Sequence, residues 1–365
     1  MATTTSGLLH NQVFHPSTIL SSTASTASTE ATPTTTSNCY DSFNPVPVEE
    51  CEEILQTVEK AARAAGDIIM EHLGCSSETS TERSDGTAEI KTNIKDVVTK
   101  YDKLAQEVIE QIIKEKYDNF YFLGEENVAA GGEASKQALV AALENSKLNS
   151  EDSTGSSDNA KISTGPGFTI IVDPIDGTAN FASGLPLCAV TMSIVYQDTP
   201  IVGIVYDPHR DEFFHSIRGQ GTWLSTMGGE RTHLKVQTAI SSAKDAIVNA
   251  GCPADPNAFE TSMKGMLALN SRVRGLRVVA CSALTLAWIA SGRLTAHFGY
   301  DLSSWDLVAG ALMIQEAGGH ITDIDGSPYT IETRNMLCSN GKVHDEILDV
   351  LKDAGATSFT RADAL

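Results

Sequence analysis

The stretch FTIIVDPIDGTANFASGLP, residues 168–186, decides how the rest of this chain is read. Residues 168–172 are a continuous apolar run of strand length, which reads as a strand buried inside a sheet. Asp173 and Asp176 follow at once, where the chain leaves the core. Two carboxylates so placed repel each other and lose hydration unless a cation sits between them. Hard divalent cations take oxygen ligands, and Mg²⁺ keeps several waters while using few carboxylates, so the pair suits one or two Mg²⁺. Gly177 permits a tight turn, and Thr178 starts a helical segment whose first N–H groups suit a phosphate. Two other readings fail on spacing. An EF-hand loop needs a Glu at its twelfth position, and counting from Asp173 lands on Gly184. A phosphatase of the haloacid-dehalogenase type places its nucleophilic Asp two residues before the aspartate of D-G-T, where this chain has Pro174.

Moving outward, other acids stand in comparable places. Glu125 and Glu126 follow the apolar residues 120–123, so they too end a strand. Asp306 follows Trp305 where a helix begins, a position that also favours negative charge through the helix dipole. Asp96, Thr99 and Asp102 crowd one short loop and helix start, with Thr99 and Asp102 spaced as a capping box.

The remainder sorts by periodicity. Residues 1–45 are rich in Ser, Thr and Ala, cannot bury enough apolar surface to offset ordering, and read as a disordered tail. An organelle-targeting signal is the alternative there, and a cytoplasmic protein is the main expectation. Cys51, Leu55, Val58, Ala62, Ala65 and Ile69 recur at helical spacing. A second helix, running to Tyr117, is expected to bury Leu104, Val108 and Ile112. Residues 130–166 turn polar and read as a flexible insertion. Strands at 188–196, 200–206 and 212–217, separated by turns, form an antiparallel meander. Beyond about Thr238, strands at 246–250 and 276–280 alternate with helices at 283–291 and 307–317. The expected organisation is thus an antiparallel-sheet part over 46–238, a smaller α/β part over 239–354 that supplies Asp306, and a tail at 355–365.

Composition narrows the partners. Lys and Arg number 26 against 47 Asp and Glu, a net charge of −21, which argues against a nucleic-acid polymer or an anionic membrane surface. A phosphate ester remains possible if metal cations neutralise it. The seven cysteines (39, 51, 75, 188, 252, 281 and 338) are scattered without a C-x-x-C pair, which disfavours a disulfide framework or a zinc site. His209 and His215, in the meander, are expected at the surface.

GEEN (124–127), IVDPIDGTANFASGLP (171–186) and WDLVAGALMIQEAGG (305–319) resemble, in order, the three signature segments of the inositol monophosphatase family. KTNIKDVVTKYD (91–102) is similar to the family's loop before its second helix. The resemblance spans the chain from about Val48 to Leu351 and implies a layered αβαβα fold of the sugar-phosphatase type. It implies a Mg²⁺-dependent, Li⁺-sensitive homodimer that hydrolyses a small polyol or sugar phosphomonoester, with inositol 1-phosphate first. Related family substrates are a hexose 1-phosphate, histidinol phosphate, fructose 1,6-bisphosphate and a 3′-phosphonucleotide. A catalytically silent binding or regulatory homologue is the alternative of another class.

Carried over residue by residue, the resemblance assigns Glu125, Asp173 and the Ile175 carbonyl to a first metal, and Asp173, Asp176 and Asp306 to a second. Glu125 also faces a third, weaker metal in this scheme. Asp102 and Thr178 activate the attacking water, with Glu125 beside them. Gly177 and Thr178 contact phosphate through backbone N–H groups, and Asp176, Asp306 and Ser282 also face the substrate. Lys91 and Asp96 lie on a mobile loop. The departures fall on the alcohol side. Gly299 stands where the family carries a sugar-contacting Glu, with Asp301 as the candidate substitute, and Ala280-Cys281-Ser282 replaces the usual Gly-Ser/Thr-Ala. Val308 replaces a small residue after the W-D pair.

Overall fold

A computed structural model describes residues 43–74, 89–90, 97–148, 167–226 and 229–360. Lys91 and Asp96, the targeting signal and the tail at 361–365 lie outside the described residues. The described residues all fall within one compact unit.

The elements in order are α1 (Val48–His72), β1 (Glu89–Ile90), β2 (Val97–Val98), α2 (Lys100–Lys116), β3 (Tyr121–Gly124), α3 (Gly132–Leu148), β4 (Phe168–Asp176) and α4 (Thr178–Ala182). The meander continues through β5 (Ala189–Tyr196), β6 (Thr199–Asp207), β7 (Glu212–Ile217), β8 (Thr222–Thr226) and β9 (Arg231–Leu234). The C-terminal part comprises β10 (Ile247–Ala250), α5 (Pro256–Asn270), β11 (Gly275–Arg277), α6 (Ser282–Ala290), β12 (Ala296–Gly299), α7 (Ser304–Glu316), β13 (His320–Asp323), β14 (Met336–Ser339) and α8 (His344–Asp353).

A seven-stranded sheet runs β3-β4-β5-β6-β7-β8-β9, antiparallel except for the parallel β3–β4 pair. A five-stranded sheet runs β11-β10-β12-β14-β13, parallel where β10 meets β11 and β12. Helices α1 and α2 cover one face of the large sheet, α6 and α7 lie between the two sheets, and α5 and α8 cover the small sheet. This is the αβαβα layering that the resemblance implies. The middle layer is apolar all round: in α7 the residues from Leu307 to Ile314 are buried, as expected for a helix between two sheets. Close approach there demands a missing side chain, since a Cβ on Gly203 of β6 would stand 2.8 Å from the Ala309 carbonyl oxygen.

Several expectations need correction. Residues 132–148 of the supposed insertion form α3, whose Leu139, Ala142 and Leu143 pack on Leu123 and Ile171. Tertiary burial organises a segment that looked merely polar. On α2 the buried line is Asp102, Ala105, Ile109 and Ile113, while Leu104 is exposed, so the stripe lies one residue round from the expected one. The polar Asp102 faces inward and apolar Leu104 outward, which reverses what hydrophobicity alone suggests. His215 is buried on β7 and His209 is partly buried, so neither is a simple surface residue. Strands β8 and β9, short and half-polar, extend the meander beyond the three strands read from the sequence. Among the described residues no helix is long and apolar enough to cross a membrane.

Candidate metal centre and active site

Strand β4 delivers the first two acids through an irregularity. Side chains alternate along a strand, so residues three apart face opposite ways on a regular one. The β4–β5 register shifts between Asp173 and Asp176, and this break lets both carboxylates converge. Pro174 has no N–H to pair, and the Ile175 N–H turns back to donate to Asp173 Oδ1 at 3.0 Å. Gly177 then takes a left-handed φ of 89°. A Cβ there would lie 2.7 Å from the Leu187 carbonyl oxygen, so both conformation and space require glycine.

Asp306 arrives from α7, at the third position of a capping box with Ser303. Its Oδ2 accepts the Ser303 N–H at 2.7 Å. Carboxylate oxygens of Asp173, Asp176 and Asp306 come within 4.8 Å of one another. Asp173 and Asp176 are buried and Asp306 is partly buried. Burial first, then the charges of Glu125, Asp176 and Asp306, holds the Asp173 carboxyl well above the usual range. Asp306 is likewise raised by burial and by Asp176 and Glu125. Asp176 is raised by burial as well, opposed by the Ala283 N–H and the Cys281 thiol that donate to its Oδ2. Asp176 thus ties β4 to the start of α6, where Ser282 is the first helical residue. Cys281 and Ala283 were not read as contacts of Asp176, because a link between residues about a hundred apart leaves no local signal.

The Asp102 carboxylate sits beside this trio. Its Oδ2 accepts from the Thr99 N–H at 2.8 Å and the Thr99 hydroxyl at 2.6 Å, completing the expected capping box. Thr178 Oγ1 lies 3.1 Å from Asp102 Oδ1 and also 3.1 Å from the Ile175 carbonyl oxygen. Burial pushes the Asp102 carboxyl up to about 6 despite the Thr99 hydrogen bonds, with the Glu125 charge adding to the rise. Glu125 opens a short 3₁₀ turn after β3, and its charge acts on all four aspartates. The structure therefore brings together Asp102, Glu125, Asp173, Ile175, Asp176, Gly177, Thr178, Ser282 and Asp306.

The same order of motifs has a counterpart in known proteins. The model for "Inositol monophosphatase family" matches residues 50–356. The chain belongs to the inositol monophosphatase family. Among family members, inositol monophosphatase 3 of Solanum lycopersicum is 29% identical, covering 83% of this chain and 97% of its own. The Nus factor SuhB of Pseudomonas aeruginosa is 28% identical, covering 82% of this chain and 96% of its own. The solved IMPase of Thermotoga maritima superposes with a TM-score of 0.63 at 24% identity, covering 83% of this chain and 98% of that one. That last likeness bears on the fold alone.

Against the family pattern, Gly299 is buried at the end of β12. A Cβ there would meet Leu302 Cδ1 at 2.8 Å and His297 Nε2 at 2.9 Å, so this chain has filled the space of a side chain at 299 with its own residues. Asp301 is in an ion pair with Arg334 at 2.9 Å. Ala280 adopts a left-handed φ of 54°.

The donor set fits an oxygen-preferring divalent cation. Three carboxylates converge, two of them buried, and each is destabilised as an anion by burial and by its neighbours. That arrangement is costly for bare carboxylates and favourable around a hard cation.

Proposed function

We propose that this chain is a Mg²⁺-dependent phosphomonoesterase acting on a small polyol or sugar phosphate, with inositol 1-phosphate the first substrate to test. The observation that carries the reading is the Asp173–Asp176–Asp306 trio standing next to the pair of buried Asp102 and half-buried Thr178. In the proposed assignment Glu125, Asp173 and the Ile175 carbonyl hold one cation, and Asp173, Asp176 and Asp306 hold another. Bound Mg²⁺ supplies neutralisation of phosphoryl charge and makes a nearby water more acidic. That chemistry suits an acidic protein of net charge −21 that handles an anionic ester.

The chain's own residues orient the water and move its proton. The Thr178 hydroxyl donates to Asp102 Oδ1, which leaves its oxygen lone pairs to accept a proton from the attacking water. As that proton arrives, Thr178 passes its own to the Asp102 carboxylate. The water oxygen forms the new P–O bond, the ester P–O bond breaks, the departing alkoxide takes a proton from a solvent water, and Asp102 later returns its proton to the hydroxide so formed. Gly177 and the first turn of α4 present backbone N–H groups toward the phosphate, and Ser282 and Asp306 face the alcohol side. No phosphoenzyme is formed on this route.

The test is Mg²⁺-dependent phosphate release from a panel of phosphomonoesters, with Asp173→Asn and Asp306→Asn alongside. Loss of release in both variants is expected. No release from any ester, or full release by both variants, would overturn the reading. The relatives named Nus factor SuhB favour a second reading, a binding protein on the same fold. Calorimetry that shows cation and phosphate binding without turnover would select it.

A further inference from the structure

The loop between β12 and α7, residues 300–303, has no sheet or helix pairing of its own, yet it must place Asp306 to within a fraction of an ångström. Tyr300 is anchored by its hydroxyl, which donates to the Ala356 carbonyl oxygen, and the turn at 301–302 is bound by Arg334 and its neighbour Asn335. Arg334 Nη2 donates to Asp301 Oδ1 at 2.9 Å and to the Asp301 carbonyl oxygen at 3.3 Å. The Leu302 N–H donates to the Arg334 carbonyl oxygen at 2.9 Å. The Asp301 N–H donates to Asn335 Oδ1 at 3.0 Å. Asp301 itself sits at a left-handed φ of 56°, a strained conformation for a residue with a side chain, so the surroundings must hold it there.

The other arm of the guanidinium reaches away from the loop. Arg334 Nη1 donates to Ser135 Oγ at 3.2 Å, across a small cavity lined by Ser135, Ser304, Thr333 and Arg334. Arg334 therefore ties three things together: the first turn of α3, the β12–α7 loop and the segment leading into β14. The base of the side chain is fixed by a turn in which the Thr333 N–H donates to the Thr330 carbonyl and the Thr330 N–H to Thr333 Oγ1, both at 3.0 Å. Immediately after the clamped pair 301–302 come Ser303 and the capping box whose acceptor is Asp306 Oδ2. With Oδ2 engaged there, the rotation of the Asp306 carboxylate follows the position of Ser303.

We propose that Arg334 is a positioning residue for the metal centre, fixing the turn at Asp301 and Leu302 so that the Asp306 carboxylate completes the trio with Asp173 and Asp176. This inference rests on the proposed reading of that trio as a divalent-cation site. A planar fork with several donors is needed because one side chain must reach a carboxylate, a carbonyl and a hydroxyl at once; a lysine ammonium has neither the reach nor the fixed geometry. Groups hydrogen-bonded directly to a metal ligand typically change cation affinity about 10–100-fold when removed, and Arg334 acts one step further out, through the turn that carries Ser303.

The experiment measures Mg²⁺ and Mn²⁺ affinity of the full chain by calorimetry, with intrinsic tryptophan fluorescence as a second readout, for wild type, Arg334→Met, Arg334→Lys and Ser135→Ala. Circular dichroism confirms that each variant is folded. Arg334→Met is expected to weaken cation binding by up to about 10-fold, the low end of what removing a direct partner of a ligand does. Its phosphate release should recover when Mg²⁺ is raised in proportion, with little change in KM for the ester at saturating Mg²⁺. Arg334→Lys should recover only part of the affinity, and Ser135→Ala should lose less than Arg334→Met. A folded Arg334→Met with wild-type cation affinity overturns the proposal and leaves the metal-site reading intact. Wild type that binds neither cation overturns the metal-site reading and this proposal with it. If Arg334→Met fails to fold, Arg334→Lys and Asp301→Asn decide: wild-type affinity in both overturns the proposal, and weakened affinity in a folded variant supports it.

Discussion

Removing the divalent cation should produce a pH-dependent loss of stability whose size follows from the crowding of the carboxylates. Asp173, Asp176 and Asp306 lie within 4.8 Å of one another, and the carboxyls of all three are raised in the metal-free protein by burial and mutual repulsion. A folded-state carboxyl raised above its unfolded value takes up a proton as pH falls, and that proton relieves the repulsion. A cation must displace it to bind, so each proton displaced weakens binding tenfold per pH unit, or about 1.4 kcal/mol. For a compact unit the size of Tyr40–Leu365, the melting entropy is about 0.7 kcal/mol per kelvin, so each displaced proton removes about 2 °C of Mg²⁺-induced stabilisation per pH unit. With the Asp176 carboxyl raised to about 6, the increment should shrink by about 2 °C per unit for one displaced proton, or about 4 °C for two, as pH falls through 6 toward 5. Melting in excess Mg²⁺ and in chelator, at matched ionic strength across that range, measures the difference. Titrations shared by both samples cancel in it. An increment that stays constant from pH 8 to 5, or one that Asp173→Asn retains in full, would refute the reasoning.

Three further outcomes are expected. Asp102→Asn and Thr178→Ala should each lower kcat about 10²–10⁴-fold while leaving Mg²⁺ affinity within a few-fold of wild type, because the pair is assigned to proton movement; steady-state kinetics with calorimetry separates the two. Gly203→Ala should destabilise the protein by about 1–3 kcal/mol in chemical denaturation, since its Cβ would press on the Ala309 backbone of α7, and an unchanged midpoint would count against that packing. In chelator, buried His215, His297 and His344, held down to about 4, 4 and 3 chiefly by burial, bind protons in the unfolded chain before the folded one. Their contribution, on the order of 3 kcal/mol for His215 and His297 and about 5 kcal/mol for His344, is full above about pH 6.5 and lost as pH falls toward 4, or toward 3 for His344; His215→Asn should flatten that acid limb in a pH series of denaturation curves.

The sequence by itself determined the pairing of acids at the end of an apolar strand in residues 168–186, the order of the signature segments and the family. It also determined the helical stripe of α1 and the capping box of Thr99 and Asp102. These are local properties: periodicity, cap spacing and acids placed at the ends of apolar runs all lie within a few residues of one another. Only the tertiary structure decided that 132–148 folds as α3 against β3 and β4, that Asp102 rather than Leu104 faces the core, and that His215 is buried. Each of these depends on which surface lies opposite, and no single segment carries that information. The same holds at the centre. The sequence marked Asp173 and Asp176 as a pair, but on a regular strand they would face apart, and the register shift against β5 turns them together. The ties from Asp176 to the start of α6 and from Arg334 to the turn before Asp306 join residues far apart in the chain. Segments 168–186 and 305–319 each carry part of a charge cluster, and folding decides whether the parts repel in solvent or form one cation site.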